Sequence, residues 1–377
     1  RYAMDNQTPR ALFLRVTNDT TAQTTAAGET ATYNAPYDSI NESAALTSRY
    51  FYNAETNIEL RYGNEQIARS HRAAKETDED TYRVTLSRTF GELETRWYAL
   101  QARRDAGPYN AYAIFDQHHT ADYLATVNDD LEFDNNPLVR QFDLSDRERA
   151  GFGFQLRRPA GPNTDVTFNY DRTDDRYTAS GLGIKAAESI SYTLDVTHTL
   201  SARSTCYGYI TREEYETQLN GRHFTNTNKV AQSLDPARNW FHDIADDVDT
   251  LGVGSTWRTD ALPLKLSLEV IHTEAQDHID TRVGSALDNA ATDTDDLRDN
   301  DKENSRRNYV KLDGAYELSP ALSWNAGIIY ERLKSSDWQT NRIAGGSTVV
   351  NDILPLTGPV ENYEAFLIYT TFTLHML

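Results

Sequence analysis

From about Ser43 to its C-terminus the chain repeats one unit: an alternating segment, a tight turn, a second alternating segment and a longer polar loop. Leu262, Leu264, Leu266, Leu268 and Val270 alternate with Pro263, Lys265, Ser267 and Glu269. Leu322, Trp324, Ala326, Ile328 and Tyr330 alternate with Ser323, Asn325, Gly327 and, less cleanly, Ile329. A β-strand sends successive side chains to opposite faces, so this rhythm makes one apolar and one polar face. Repeated around a closed sheet, it predicts a barrel with lipid outside and water or a polar partner inside.

The pattern predicts paired strands over 44–53 with 56–69, 80–90 with 92–104, and 147–158 with 163–175. It continues with 187–200 and 202–215, 249–260 and 262–276, 306–318 and 320–334, and a last strand over 362–377. Arg1–Asp5 reads as the end of another strand, giving about fourteen. The connections fall into two alternating classes. Tight ones are Asn53-Ala54-Glu55, Phe90-Gly91-Glu92, Pro159 to Asn163, Leu200-Ser201-Ala202, Asp260-Ala261 and Ser319-Pro320. Long polar ones span 105–146, 216–248, 277–305 and 335–361, with shorter members at 70–79 and 176–186. Short periplasmic turns and long extracellular loops belong to an antiparallel up-and-down transmembrane β-barrel. The expectation is all-β, with residues 1–377 forming one such barrel domain or the C-terminal part of a larger one.

The faces follow. The lipid side takes Val84, Leu86, Leu93, Trp97, Phe152, Phe154, Leu156, Val166, Phe168, Tyr192, Leu194 and Val196. Further on it takes Leu251, Val253, Trp257, Val310, Leu312, Phe366, Ile368, Phe372 and Leu374. The lumen side takes Glu59, Arg61, Arg83, Glu94, Arg96, Arg149, Arg157, Asp165, Asp195, Lys265, Glu269, Lys311, Asp313 and Glu317. A one-residue slip would invert both faces, so the register is strongly set. The lumen carries both signs of charge, as a solvated or partner-facing wall does and a single-sign ion filter does not.

Composition fits. The 377 residues carry a formal net charge of -20 and only 38% hydrophobic residues, with a mean hydropathy of -0.67. No run of about 18 apolar residues exists, which excludes a spanning helix but not a barrel, where only every second residue meets lipid. Tyr, at 22 residues, is abundant and suits strands and membrane interfaces. The acidity argues against nucleic acid, which demands clustered Lys and Arg. A single cysteine, Cys206, excludes an internal disulfide and a CxxCH haem attachment site, so any haem would belong to a partner. Arg1 is not an initiator and no signal segment precedes the first strand, so the sequence reads as a mature form or a fragment.

Several stretches carry a family likeness. Asn135-Asn136-Pro137-Leu138-Val139-Arg140-Gln141-Phe142-Asp143-Leu144-Ser145-Asp146-Arg147-Glu148-Arg149 resembles a loop-to-strand signature of the MtrB/PioB family of decahaem-associated outer-membrane proteins. Tyr33–Tyr37, Ser180-Gly181-Leu182-Gly183, and Tyr330-Glu331-Arg332 followed by Asp337-Trp338 are similar in the same order. The resemblance implies a bacterial outer-membrane barrel that sheathes a periplasmic multihaem c-type cytochrome and has no redox centre of its own. An extracellular cytochrome would be a further partner, and outer-membrane lipid would surround the wall. Two departures stand out. Family members are usually longer, and this chain looks like their C-terminal part, without the region where some carry a Cys pair. It also ends Leu374-His375-Met376-Leu377 rather than on a terminal aromatic. Barrel diameter grows with strand number, so fourteen strands alone give a porin-sized lumen, and sheathing a folded cytochrome needs more.

Other chemistry is open to two readings. His118-His119 with Asp116 could bind a metal or touch a haem edge, or form a solvated loop. Asp288–Asp301 and Asp243–Asp249 could bind Ca²⁺, or be solvated or bridged to lipopolysaccharide; neither has EF-hand spacing. Lumen carboxylates such as Glu59, Glu94 and Asp195 could serve acid/base chemistry, but no nucleophile motif accompanies them, so no enzyme is expected. Cys206 reads as an inert small residue. Tyr52, Trp97, Tyr170, Tyr177, Trp257 and Tyr330 could carry electrons, or form the interfacial aromatic girdle. Three functions therefore compete: a cytochrome sheath, a general diffusion porin for small polar solutes, and a surface receptor or adhesin.

Overall fold

The computed structural model describes residues 2–5, 38–111, 113, 138–223, 229–259, 262–287, 303–336 and 362–374. Its strands are β1 (Tyr2–Asp5), β2 (Asp38–Asn53), β3 (Thr56–Arg69), β4 (Glu76–Phe90), β5 (Leu93–Ala106), β6 (Val139–Arg140), β7 (Arg147–Pro159) and β8 (Thr164–Arg176). They continue with β9 (Leu182–Ser201), β10 (Ser204–Arg222), β11 (Asn239–Arg258), β12 (Leu264–Val283), β13 (Glu303–Ser319), β14 (Leu322–Ser336) and β15 (Tyr363–Leu374). Each pairs antiparallel with its chain neighbour in one sheet, except β6, which lies parallel to the start of β9. Among the described residues no helix is long and apolar enough to cross a membrane.

The tight turns lie where the sequence pattern places them, within two or three residues, and turn chemistry explains them. Asn53 accepts the Glu55 amide through its side chain at 2.9 Å, and Gly91 and Gly161 take positive φ. The other strand ends run on past the expected limits. β11 begins at Asn239 rather than 249, β10 ends at Arg222 rather than 215, and β12 at Val283 rather than 276. Most of the expected loop 216–248 is therefore strand. The reason is chemical: beyond the membrane both faces of a strand are wet, so alternation vanishes while backbone pairing continues. At the other end, the alternation assigned from Leu262 starts at Leu264, with Leu262 exposed in the turn.

Outward rows show where the membrane stops. Val253, Val270, Val310, Tyr330 and Phe366 are direct cross-strand neighbours. Two residues further from the tight turns the same face carries Leu251, His272, Asn308, Arg332 and Glu364, then Asp249, Glu274, Arg306 and Lys334. About ten residues at a rise of ~3.3 Å and a tilt of ~40° span about 25 Å, the height of a barrel's apolar band. The 20-residue β9, β11 and β12 thus extend about as far again beyond it.

The apolar side chains are displayed rather than buried: Leu251 is 53% exposed and Ile368 69%. An apolar face of this extent needs lipid. The buried apolar cluster, Ala73, Ala74 and Leu144 with Tyr109 against it, lies instead at the long-loop end. The described sheet is open. From Glu42 on, the edge of β2 away from β3, and the outer edge of β15, have no partner among the described residues. In hydrocarbon an unpaired edge is costly, so in a closed barrel both edges are paired.

Candidate functional site, the inner wall

The inner face begins, near the tight turns, with short ion pairs. Arg49 lies opposite Glu59 and holds it at 2.5 Å. Arg157 reaches Glu94 at 3.8 Å and Asp165 at 3.5 Å. Arg61 stands opposite Arg83, and the Arg83 guanidinium lies 3.9 Å over the ring of Tyr98. Arg96 shares this face between Ser87 and Gln155. Lys311 pairs with Asp313 at 2.9 Å and lies opposite Glu269. Asp195 accepts from Asn169 at 3.4 Å. The wall thus carries local ion pairs beside arginines, Arg61, Arg83 and Arg96, that have no carboxylate directly opposite.

Between them runs a recurring joint: a tyrosine, a glycine and a carboxylate in one row across three strands. Tyr98, Gly153 and Asp171 are direct neighbours. So are Tyr207, Gly254 and Glu269, and Tyr369, Gly327 and Asp313. In each, the ring lies over the glycine and the hydroxyl donates to the carboxylate, at 3.1 Å for Tyr207. A Cβ on Gly327 would meet Tyr369 Cζ at 2.6 Å. Laid flat, these large side chains thicken the wall little. The charge pattern pointed to the carboxylates and arginines but not to the joints, whose signal at Gly153 and Gly254 is a second glycine two positions away on the polar face, Gly151 and Gly252.

Arg149 stands apart from the other expected wall residues, above the membrane band. It donates to Asp175 at 2.6 and 2.7 Å, beside Arg147, which grips Glu79 at 2.7 Å. These groups and Arg104 share the inner face. Arg104 donates to the carbonyls of Ser145 (2.9 Å) and Phe142, which sets the 3-10 turn Phe142–Leu144 on the inner side of β5. Burial, then the nearby Arg147 charge, lowers the Arg104 pKa. The turn is tied further by Arg72 to Asp143 at 2.6 Å, by Ser145 to Ser180 at 3.2 Å, and by the Asp146 carboxylate on the Ala106 amide at 2.7 Å. The Leu138–Arg149 stretch, most of the segment singled out in the sequence, is thus an inward ledge at the extracellular end of the wall.

The Asp243–Asp249 segment is strand, so Asp243, Asp247 and Asp249 face outward while Asp246 faces inward opposite Asp277. Among the described residues no group of three or more His, Cys, Asp or Glu side chains could hold a metal ion. His118, His119, Asp116, Asp288–Asp301, Tyr33–Tyr37 and Asp337-Trp338 lie outside the described residues. Cys206 directs its thiol to the His198 carbonyl at 3.6 Å. Trp97 stacks on Phe154 at 4.7 Å, and the outward aromatics continue through Tyr170 to Tyr192.

The chain matches a family model described as "Putative outer membrane beta-barrel porin, MtrB/PioB" over residues 2–376. No curated protein matches it. Similar solved structures include the ferric-catecholate import receptor Fiu of E. coli K12, at 9% identity and a TM-score of 0.45, covering 79% of this chain and 59% of that one. The copper transporter OprC has 9% identity and a TM-score of 0.40, with 84% and 56% covered. OmpT of Vibrio cholerae has 8% identity and a TM-score of 0.32, with 80% and 86% covered. The chain spans less than two thirds of the first two of these proteins.

Proposed function

From the premise that the chain belongs to the MtrB/PioB family of outer-membrane β-barrel porins, we propose that its wall sheathes a multihaem c-type cytochrome across the outer membrane. The observation that supports this is the flat inner wall. Tyrosines folded down over Gly153, Gly254 and Gly327, and cross-strand ion pairs such as Arg49 with Glu59, hold these large side chains along the wall. Such a surface suits contact with a folded body. Glu59, Arg61, Arg83, Glu94, Arg96, Arg157, Asp165, Asp195, Lys311 and Asp313 would face that body, with Arg149 nearer the mouth. The barrel would insulate and orient, and the haems, carried by the partner, would move the electrons. An extracellular cytochrome would dock at the ledge end.

A general diffusion porin is the second reading, favoured by the same polar wall. Purification from native outer membranes in mild detergent, with a visible spectrum and a haem-stained gel, separates the two. A c-type haem band on a separate polypeptide supports the sheath. A colourless intact complex that passes small solutes in liposomes supports the porin.

A further inference from the structure

The outward charges above the apolar band are not evenly mixed around the wall. On β10 and β11 Arg212 is held by Glu214 (2.7 Å), Asp247 (3.2 Å) and Asp249 (3.1 Å), so carboxylates dominate. On β13 and β14 the balance reverses. Arg306 is neutralised by Glu274 at 2.5 Å, while the exposed side chains of Arg332 and Lys334 make no ion pair or hydrogen bond among the described residues; Glu364, directly opposite Arg332 on β15, accepts from the Tyr330 hydroxyl at 3.1 Å instead. They are two apart on one strand and so share the outward face. In a chain of net charge -20 such an unpaired cationic pair is against the trend.

Its height is specific. Arg332 stands about ten residues above the β14 tight turn, which at the usual rise and tilt is about 25 Å, the top of the apolar band. Tyr330 and Phe366 lie directly below on the same face, with Ile328 and Ile368 beneath them. Beside Lys334 an outward concavity of about 350 Å³ is lined by Gln276, Asn304, Ser336, Asn362 and the paired Glu274 and Arg306, among others. From the bilayer centre outward, the face therefore offers an apolar strip, an aromatic pair, two cations without an ion pair, with the tyrosine-bound Glu364 carboxylate beside the first, and amide and hydroxyl groups.

We propose that this β13–β14 face binds one phosphorylated glycolipid of the outer leaflet. Its acyl chains lie along Ile328 and Tyr330, a phosphate sits on Arg332 and Lys334, and sugar hydroxyls meet the amides and hydroxyls of the concavity. Charge complementarity selects the phosphate, and the position at the lipid boundary selects a lipid over a soluble ligand. The inference does not depend on what fills the lumen.

The test is native mass spectrometry of the full-length protein in detergent, titrated with bisphosphorylated lipid A and with its fully dephosphorylated counterpart. The expected result is a bound bisphosphorylated lipid whose apparent affinity falls roughly twenty-fold in the R332S/K334S double variant, from a few-fold per cation. Affinity should stay unchanged in Arg212→Ser and in the charge-retaining R332K/K334R variant. Wild-type binding should also weaken as salt rises, an arm that holds even if the serine variant fails to fold. Equal binding by the double variant, equal binding of the dephosphorylated lipid, salt-independent binding, or no binding by the wild type would each overturn the proposal. Displacement of the lipid by millimolar inorganic phosphate would also overturn it, by assigning the site to free phosphate.

Discussion

Tyr98 and Asp171 meet over Gly153. The tyrosine hydroxyl on β5 donates to the carboxylate on β8 across the strand between them, and the space they use is the space a side chain on β7 would fill. A Cβ at Gly153 would sit 2.5 Å from Tyr98 Cε1, 2.9 Å from Asp171 Oδ2 and 2.7 Å from the Tyr170 carbonyl oxygen, which cannot move aside cheaply.

Gly153→Val is therefore expected to destabilise the folded barrel by about 1–3 kcal/mol, as overpacking does. Tyr98→Phe should cost about 1–2 kcal/mol by leaving Asp171 without its donor. Thermal loss of the fast-migrating folded band on unheated SDS gels reads both, and a Gly153→Val barrel as stable as wild type would dismiss the joint.

The lipid face gives a directional contrast. Leu312→Arg, near mid-depth and outward, should cost about 2–4 kcal/mol. Lys311→Gln, one residue away on the inner wall, should change stability by less than about 1 kcal/mol, since its partner Asp313 also accepts from Tyr369. Urea unfolding from lipid vesicles measures both, and equal effects would mean that the faces are assigned the wrong way round.

The ledge depends on Arg147. Its side chain is 13% exposed and that of Asp175 9%. Arg147→Met strands Glu79, while Asp175 keeps Arg149, and should cost up to about 3 kcal/mol locally. Protease added to whole cells should then cut near residues 138–146, with the membrane strands still protected. An unchanged digestion pattern would show that the turn is held by Arg104 and Arg72 alone.

Asp246, above the membrane, lies opposite Asp277 on β12, with Tyr215 on its other side and Glu303 beyond Asp277. Burial first, then the Asp277 carboxyl, pushes its pKa up to about 6. The folded protein thus holds this proton more tightly than the unfolded chain. Stability from this group is present below about pH 4, falls as pH rises to about 6, and is level above. Asp246→Asn should leave stability unchanged near pH 4 and raise it at pH 7, by on the order of 1 kcal/mol after allowance for the exposure of the pair. A melting series at the two pH values decides it, and a gain of equal size at both would point to a cause other than titration.

Much of this architecture is written in the alternation. Within the band, the outward placement of Val253, Val310 and Phe366 and the inward placement of Glu94, Arg157 and Lys311 follow from residue type, because lipid penalises a charge on one face and water tolerates it on the other. The tight turns were legible for a similarly local reason: Asn53, Gly91 and Gly161 have conformational preferences of their own. Above the band the sequence falls silent. Asn239 to Val248 mixes Asp, Ile and Ala without rhythm, yet it is strand, because its backbone pairs with the neighbours on either side.

The sequence by itself thus determined the class of fold, the two faces and the position of the tight turns, since those depend on each residue's affinity for lipid or water. Only the tertiary structure decided how far the strands run, which charges pair with each other, that tyrosines lie across glycines of neighbouring strands, and that the Phe142–Leu144 turn folds onto the inner wall. Those features depend on cross-strand register and on contacts between segments distant in the chain, such as Arg72 with Asp143, and no local pattern of residue types encodes which partners will meet.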